Sequence, residues 1–316
     1  MKQFSILIPA FKTKFLKECL ESILNQLYKD FEIIVVDDCS PENIQSIVEV
    51  LNNDRIRYYR NEKNCGAKDV VDNWNICLNY AVGKYVICMG DDDILDPNCL
   101  SEYNKLIERY PNVGVFHTRT YIIDEESKVF RATELRSEKE NTLDLIWRSI
   151  NGGCTQFIGD FVFNRYLLLK DGGFYKMPFA WGSDYLSVFI ASTHGGIIHT
   201  NKPLFRYRQS RYTISSSSNA VEKIKAQFML YDWIDRYVKS CIPKSQEEEV
   251  TKAMIVDHID SARQKAVSYE LMIDMQSSGV LGMISWMFHA KTNAISIPLI
   301  IYSYIESLKH KFKSAR

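Results

Sequence analysis

The chain has 316 residues, with 39 Lys plus Arg balanced by 39 Asp plus Glu, so no global field recruits nucleic acid. Its 46% hydrophobic and 25% charged content is ordinary for a globular protein, and the length suits one large domain or two smaller ones. The opening MKQFSILIPAF has too short an apolar run for a secretory leader, and no stretch reaches about 18 uninterrupted apolar residues, so a spanning helix is not expected. Eight cysteines, none in a Cys-x-x-Cys pair, read as reduced, mostly buried thiols of a cytoplasmic protein.

In chain order, FSILIPAF reads as a buried strand. The next segment places Phe15, Leu16, Cys19, Leu20, Ile23, Leu24 and Leu27 at helical spacing. FEIIVVDDCSP is a second strand ending in acidic and turn residues, and ENIQSIVEVLN a second helix. IRYYRNEKNCG supplies a short strand and loop, DVVDNWNICLNYAVG a third helix ended by Gly83, and KYVICMG a further strand. Strands that alternate with helices and are apolar along their whole length indicate a parallel sheet covered on both faces. Ligands of such sheets bind beyond the carboxyl ends of the strands, where Asp37-Asp38 and Asp91-Asp92-Asp93 both fall. From about 111 to 210 the pattern is mixed, and beyond about 220 it is helical.

Three adjacent carboxylates at a strand end repel one another and need a reason to be there. A solvated acidic loop or the cap of the helix that follows Asp96-Pro97 is one reading. A calcium-binding EF-hand is a second: Glu102 stands twelfth from Asp91, but Leu95 and Asp96 replace the fifth-position oxygen ligand and the sixth-position glycine, and the reading fails. The third is a site for a hard divalent cation shared with a diphosphate, which would relieve the repulsion.

SILIPAFKTKFLKECLESILNQLYKDFEIIVVDDCSP followed by NCG, NWNICLNYAVGKYVICMG and DDDILDP resembles the family 2 glycosyltransferases, densely over residues 3–110 and more weakly to about 210. The resemblance implies an α/β GT-A fold: a Rossmann-like, mostly parallel sheet with helices on both faces, plus a helical C-terminal region. It divides the chain into a catalytic domain over 1–215, with a nucleotide-sugar part to about 110 and an acceptor part after it, and a helical region over 216–316. By the same resemblance Asp37 and Asp38 line the nucleoside pocket and Pro9, Ala10 and Phe11 form its wall. Asn64, Gly66, Lys68 and Asp91 join the nucleotide-sugar contacts, and Asp92 and Asp93 are the metal ligands for Mn2+ or Mg2+. Gly90 stands where the family's motif begins with a ribose-binding Asp, and Trp74 where many members carry Arg.

Further on, DGGFYKMPFAWGSDYLSVFIAS resembles the segment that carries the family's catalytic base, here Asp184, with helix capping the alternative role of a lone Asp at that place. Asp160 and Asp171 are the next candidates for the base. PLFRYRQSRYTISS resembles a Tyr–Arg segment that often ends in His, with Gln209 in its place. Arg208, with Arg206 and Arg211 beside it, is thereby a diphosphate candidate. The six histidines lack metal spacing, and there is neither a Walker loop nor a Gly-x-Ser-x-Gly elbow.

The activity the resemblance implies is an inverting transfer of a sugar from a nucleotide diphosphate, expected to be UDP-linked, to a hydroxyl of a glycan or lipid-linked glycan in bacterial-type surface polysaccharide assembly. A nucleotide-sugar binding protein without turnover is one alternative. A sugar-1-phosphate nucleotidyltransferase is another, weakened because PAFKTKF contains no glycine. The tail AISIPLIIYSYIESLKHKFKSAR joins apolar and aromatic residues to Lys309, His310, Lys311, Lys313 and Arg316. Residues 279–316 therefore admit a peripheral seat at the inner face of a membrane or a helix packed on the protein itself.

Overall fold

The computed structural model describes residues 2–209 and 220–314, with side chains to residue 311. Arg211 and the remainder of the segment 210–219 lie outside the described residues, as do the side chains of Lys313 and Arg316. The chain forms two compact units, Met1–Ser215 and Ser216–Arg316.

The first unit begins with β1 (Phe4–Ala10), α1 (Leu16–Leu24), β2 (Phe31–Asp37), α2 (Ile44–Leu51), β3 (Ile56–Arg60), α3 (Val70–Tyr80) and β4 (Tyr85–Cys88). β1, β2 and β4 are buried along almost their whole length, which is why their sequences lack the alternation of a half-exposed strand. They pair in parallel, with β3 beyond β2, so the carboxyl ends of all four share one edge. The helix expected from residue 12 begins at Leu16 and buries Leu16, Cys19, Leu20 and Ile23.

After the acidic stretch come β5 (Ile94–Leu95), α4 (Cys99–Arg109), β6 (Val115–Ile123), β7 (Val129–Ala132), β8 (Lys139–Glu140) and α5 (Thr142–Ile150). β9 (Phe161–Asn164), α6 (Arg165–Lys170), α7 (Ser183–Ser192) and β10 (Ile197–Arg208) close the unit. The sheet runs β3-β2-β1-β4-β9-β6-β10-β5. β9 is antiparallel to both neighbours, whereas β6 and β10 pair in parallel, with bulges near Pro203, whose missing N–H interrupts the ladder. The mixed pattern seen after residue 111 in the sequence is this change of strand direction. All eight cysteines are free thiols, five of them buried.

The second unit consists of α8 (Ala220–Ser240), α9 (Gln246–Phe288) and α10 (Ile297–Ser314). Ile224, Val267, Leu271, Met275, Trp286, Ile295 and Ile300 form its core. α9 kinks at Gly279 (φ 61°, ψ −144°), and Trp286 Nε1 donates to Asp274 Oδ2 at 2.9 Å across the kink. Among the described residues, no helix is long and apolar enough to cross a membrane.

Candidate active site

At the shared carboxyl edge, the Pro9-Ala10-Phe11 turn is held from two sides. Asp91 Oδ2 accepts the backbone N–H groups of Phe11 and Lys12, both at 2.8 Å. Ser40 Oγ donates to the Phe11 carbonyl at 2.6 Å, and the Asp38 N–H to the Ala10 carbonyl at 2.9 Å. Phe11 is left exposed beside this clamp.

Asp37 is fully buried, with Oδ1 accepting from Ser40 N–H at 2.7 Å and Oδ2 from Tyr58 OH at 2.8 Å and from Arg60. With no exposed surface and both oxygens occupied, Asp37 ties the end of β2 to Ser40 and to β3. Asp38, itself buried, accepts from Asn61 Nδ2 at 2.8 Å and Cys65 N–H at 3.0 Å, and its carbonyl accepts from Asn64 Nδ2 at 2.6 Å. It thereby folds the 61–65 loop over the edge of the sheet. Gly66 (φ 77°) turns that loop into a short 3₁₀ segment, on which Lys68 is exposed.

The three consecutive carboxylates are tolerated because each has a different environment. Asp91 faces the two N–H groups of the Phe11 turn. Asp93, 5% exposed, accepts Gly90 N–H on Oδ2 at 3.2 Å and Arg208 N–H on Oδ1 at 3.0 Å. The Asp92 carboxylate receives no hydrogen bond from another described residue, and burial together with Asp91 pushes its pKa up to about 6. Burial also raises Asp91, against the pull of the Phe11 and Lys12 N–H groups, and raises Asp93 strongly.

This donor set fits a hard cation in one way only. Among the described residues, no three His, Cys, Asp or Glu side chains gather where they could hold one. A single uncommitted, charge-stressed carboxylate suits a cation that takes one or two protein oxygens and completes its shell with phosphate and water. Asp92 has that character. Asp93, expected to be a ligand, accepts one backbone N–H on each oxygen, from Gly90 and Arg208.

Arg208, the diphosphate candidate, is the last residue of β10. Its side chain is fully buried, and its guanidinium lies over the Phe15 ring at 4.1 Å. Nε donates to the Asp92 carbonyl at 2.8 Å, Nη1 to Ser127 Oγ at 2.9 Å and the Asp124 carbonyl at 3.1 Å, and Nη2 to Glu18 Oε2 at 2.7 Å. Every nitrogen of the guanidinium thus makes at least one hydrogen bond inside the protein. Arg206, on the same strand, is only half-buried.

Asp184 occupies the second position of α7. The residue at the helix N-cap is Gly182 (φ 84°), and no side chain caps the helix, so capping does not explain the carboxylate. Burial pushes its pKa up to about 7. The two reserve candidates are already partnered. Asp160 is fully buried and accepts from Thr120 Oγ1 at 2.9 Å and Phe157 N–H at 3.1 Å, and Asp171 pairs with His194 Nε2 at 2.8 Å.

The loop ahead of α7 packs against α3 and the short 3₁₀ segment before it. Phe174 exchanges hydrogen bonds with Asn75, N–H to Oδ1 at 2.8 Å and Nδ2 to the carbonyl at 3.0 Å, and meets the Trp74 ring edge-on at 5.9 Å. Lys176 Nζ bridges Asp69 at 3.0 Å and Asp72 at 2.6 Å. Trp74 thus packs against this loop. Phe179 (φ 56°) and Ala180 (φ 58°) take left-handed conformations just before Gly182, backbone strain of the kind concentrated at functional turns.

Sequence reasoning missed Glu18, Ser127 and the Asp91 clamp. It also missed His117 and His199, buried with Nδ1 atoms 3.1 Å apart and held neutral by burial. No local pattern marks these residues, because their partners lie up to 190 positions away, as Glu18 does from Arg208.

The family model for glycosyl transferase family 2 matches residues 5–172. A GalNAc(5)-diNAcBac-PP-undecaprenol beta-1,3-glucosyltransferase of Campylobacter jejuni is 30% identical over 231 residues, 70% of each chain. Among solved structures, S. aureus TarS 1–349 in complex with UDP-GlcNAc superposes with a TM-score of 0.68 at 16% identity, covering 98% of this chain and 92% of that one. The mannosyltransferase PcManGT from Pyrobaculum calidifontis, in complex with GDP-Man and Mn2+, gives 0.57 at 15% identity, covering 97% and 87%. The mixed α/β sheet with its helical C-terminal region is the GT-A architecture, and the chain belongs to glycosyl transferase family 2 and is a glycosyltransferase.

Proposed function

We propose that the protein transfers a sugar from a UDP-linked donor to an acceptor hydroxyl with inversion, in one displacement. What carries this reading is Asp184: a carboxylate with a pKa near 7, without a capping role, at the end of a loop packed against α3. A base so poised accepts the acceptor's proton at neutral pH. As that proton leaves, the acceptor oxygen bonds the anomeric carbon, and the bond from that carbon to the diphosphate oxygen breaks with its electron pair.

Pro9, Ala10, Phe11, Asn64 and Gly66 form the nucleoside wall, with Asp37, Asp38 and Asp91 fixing their backbone and Lys68 at the rim. Asp92 would hold Mn2+ or Mg2+ together with the donor's phosphates, and the cation supplies neutralisation of the charge that develops on the leaving diphosphate. Residues to about 110 serve the donor and those from 111 to 215 the acceptor. The named acceptor of the Campylobacter relative supports a lipid-linked glycan in surface polysaccharide assembly, reached from the cytoplasmic side through residues 279–316.

A panel of nucleotide sugars with and without Mn2+, read by thermal shift, tests the donor class. A true donor at 100 times its Kd adds about 2.7 kcal/mol of stability. UDP-sugars are expected to stabilise only with the metal. A response to GDP-sugars alone would replace the nucleotide, and no response to any donor would remove the reading.

A further inference from the structure

α10 is inside out for a helix in water. Its buried face is Ile300, Ser303 and Ser307, with both serines essentially inaccessible and Ser303 Oγ 2.8 Å from Ser268 Oγ of α9. Its outer face carries Ile297, Ile301, Tyr302, Ile305 and Leu308, all exposed. A surface helix ordinarily turns its apolar stripe inward and its small polar residues outward. Here the serines permit close packing on α9 beside Leu299, Ile300 and Tyr304, and a second set of large apolar side chains is left outside.

The last turns of α9, beyond the Gly279 kink, continue the theme. Leu281, Ile284 and Phe288 stand at i, i+3 and i+7 on one face, and Phe288 is 82% exposed. Gly282 and Trp286 occupy the buried face. Exposed apolar residues on two consecutive helices of one unit exceed the scattered single residues of an ordinary surface.

The charges around them are mostly cationic. Between Met275 and Lys311 the only acidic residue is Glu306, paired with Lys309, whereas Lys291, Lys309 and Lys311 are exposed cations. An apolar face bordered by lysines complements a surface of anionic headgroups over acyl chains. A second copy of the same face would set lysine against lysine.

We propose that the outer face of α10 and the last turns of α9 form an interfacial seat on an anionic lipid bilayer, with Ile301, Ile305, Leu281 and Phe288 inserted and Lys309 and Lys311 at headgroup level. This deepens, and rests on, the membrane-side acceptor reading above. The helices lie in the interface and do not cross it.

The test is flotation of the full chain with phosphatidylglycerol-containing and pure phosphatidylcholine vesicles at low and high salt. Binding is expected to the anionic vesicles and to weaken with salt. Ile301→Ser with Ile305→Ser should lower partitioning about tenfold or more, since each removes a large inserted side chain. Lys309→Glu with Lys311→Glu should abolish the preference for anionic lipid, and the melting temperature of both variants should stay near wild type. No flotation of the wild type, flotation unchanged in both variants, or self-association that Ile301→Ser abolishes in place of lipid binding would each overturn the proposal. The donor panel is read separately. Its failure with flotation retained removes the UDP-sugar reading and supports this face, whereas donor stabilisation without flotation removes the face alone.

Discussion

The backbone N–H of Arg208 donates to Asp93 Oδ1 at 3.0 Å while its side chain grips the Asp92 carbonyl at 2.8 Å. The last strand of the first unit thus holds the acidic loop in shape from below. Arg208→Ala removes the buried guanidinium with all its hydrogen bonds and should cost on the order of 3 kcal/mol or more. Chemical denaturation measures it. A diphosphate ligand would behave otherwise, with normal stability and weakened UDP affinity, and that outcome would support the expectation from sequence.

The neighbouring aspartates should separate cleanly. Asp93→Ala leaves the N–H groups of Gly90 and Arg208 without an acceptor and should destabilise the fold by about 1–3 kcal/mol. Asp92→Ala deletes a repelling charge that accepts no bond from another described residue, so stability should hold or rise while Mn2+-dependent UDP binding is lost. Calorimetric titration beside denaturation checks both, and metal-dependent binding at wild-type affinity in Asp92→Ala contradicts the ligand role.

Asp184→Asn keeps volume and hydrogen bonding but cannot take a proton. Its kcat should fall on the order of 10² to 10⁴ with UDP affinity unchanged. The wild-type rate should rise with pH to a plateau, half-maximal near pH 7, because the deprotonated form acts. Retention of a third of wild-type kcat would move the base elsewhere.

The same substitution has a stability signature. A carboxylate whose folded pKa is about 7, against about 3.9 when unfolded, binds more protons in the folded state between those values. Its contribution to stability is therefore complete below about pH 4 and is lost as pH rises through 7. Asp184→Asn escapes that loss, so its melting temperature relative to wild type should climb across this window and level off above it. A pH-independent difference in the metal-free protein would refute the raised pKa.

The first four strands were legible because β1, β2 and β4 are apolar on both faces, with acidic clusters after β2 and β4, a pattern carried by neighbours in sequence. The roles within it were less so. Asp37, Asp93 and Arg208 look like ligands in a linear reading, since charge at a strand end invites that assignment, and that reading does not show their partners within the protein, from Ser40 and Gly90 three residues away to Glu18 at 190. Asp184 was legible only through its resemblance to a family segment, and the missing cap is a fact of Gly182's backbone. The orientation of α10 was hidden because Ile297, Ile301 and Ile305 share a helical period with Ile300 nearby, and period alone does not say which stripe faces in.

Asp92 and Arg208 stand 116 positions apart, and this separation has a consequence for biosynthesis. At 5–20 residues per second, the three carboxylates leave the ribosome roughly 6–23 s before the arginine that braces them. Throughout that interval β1 to β4 can pair, but the loop above them lacks its brace and its charges stay hydrated. The nascent first unit is therefore a sheet whose acidic loop is unfinished, and that loop is completed only when β10 pairs beside β6.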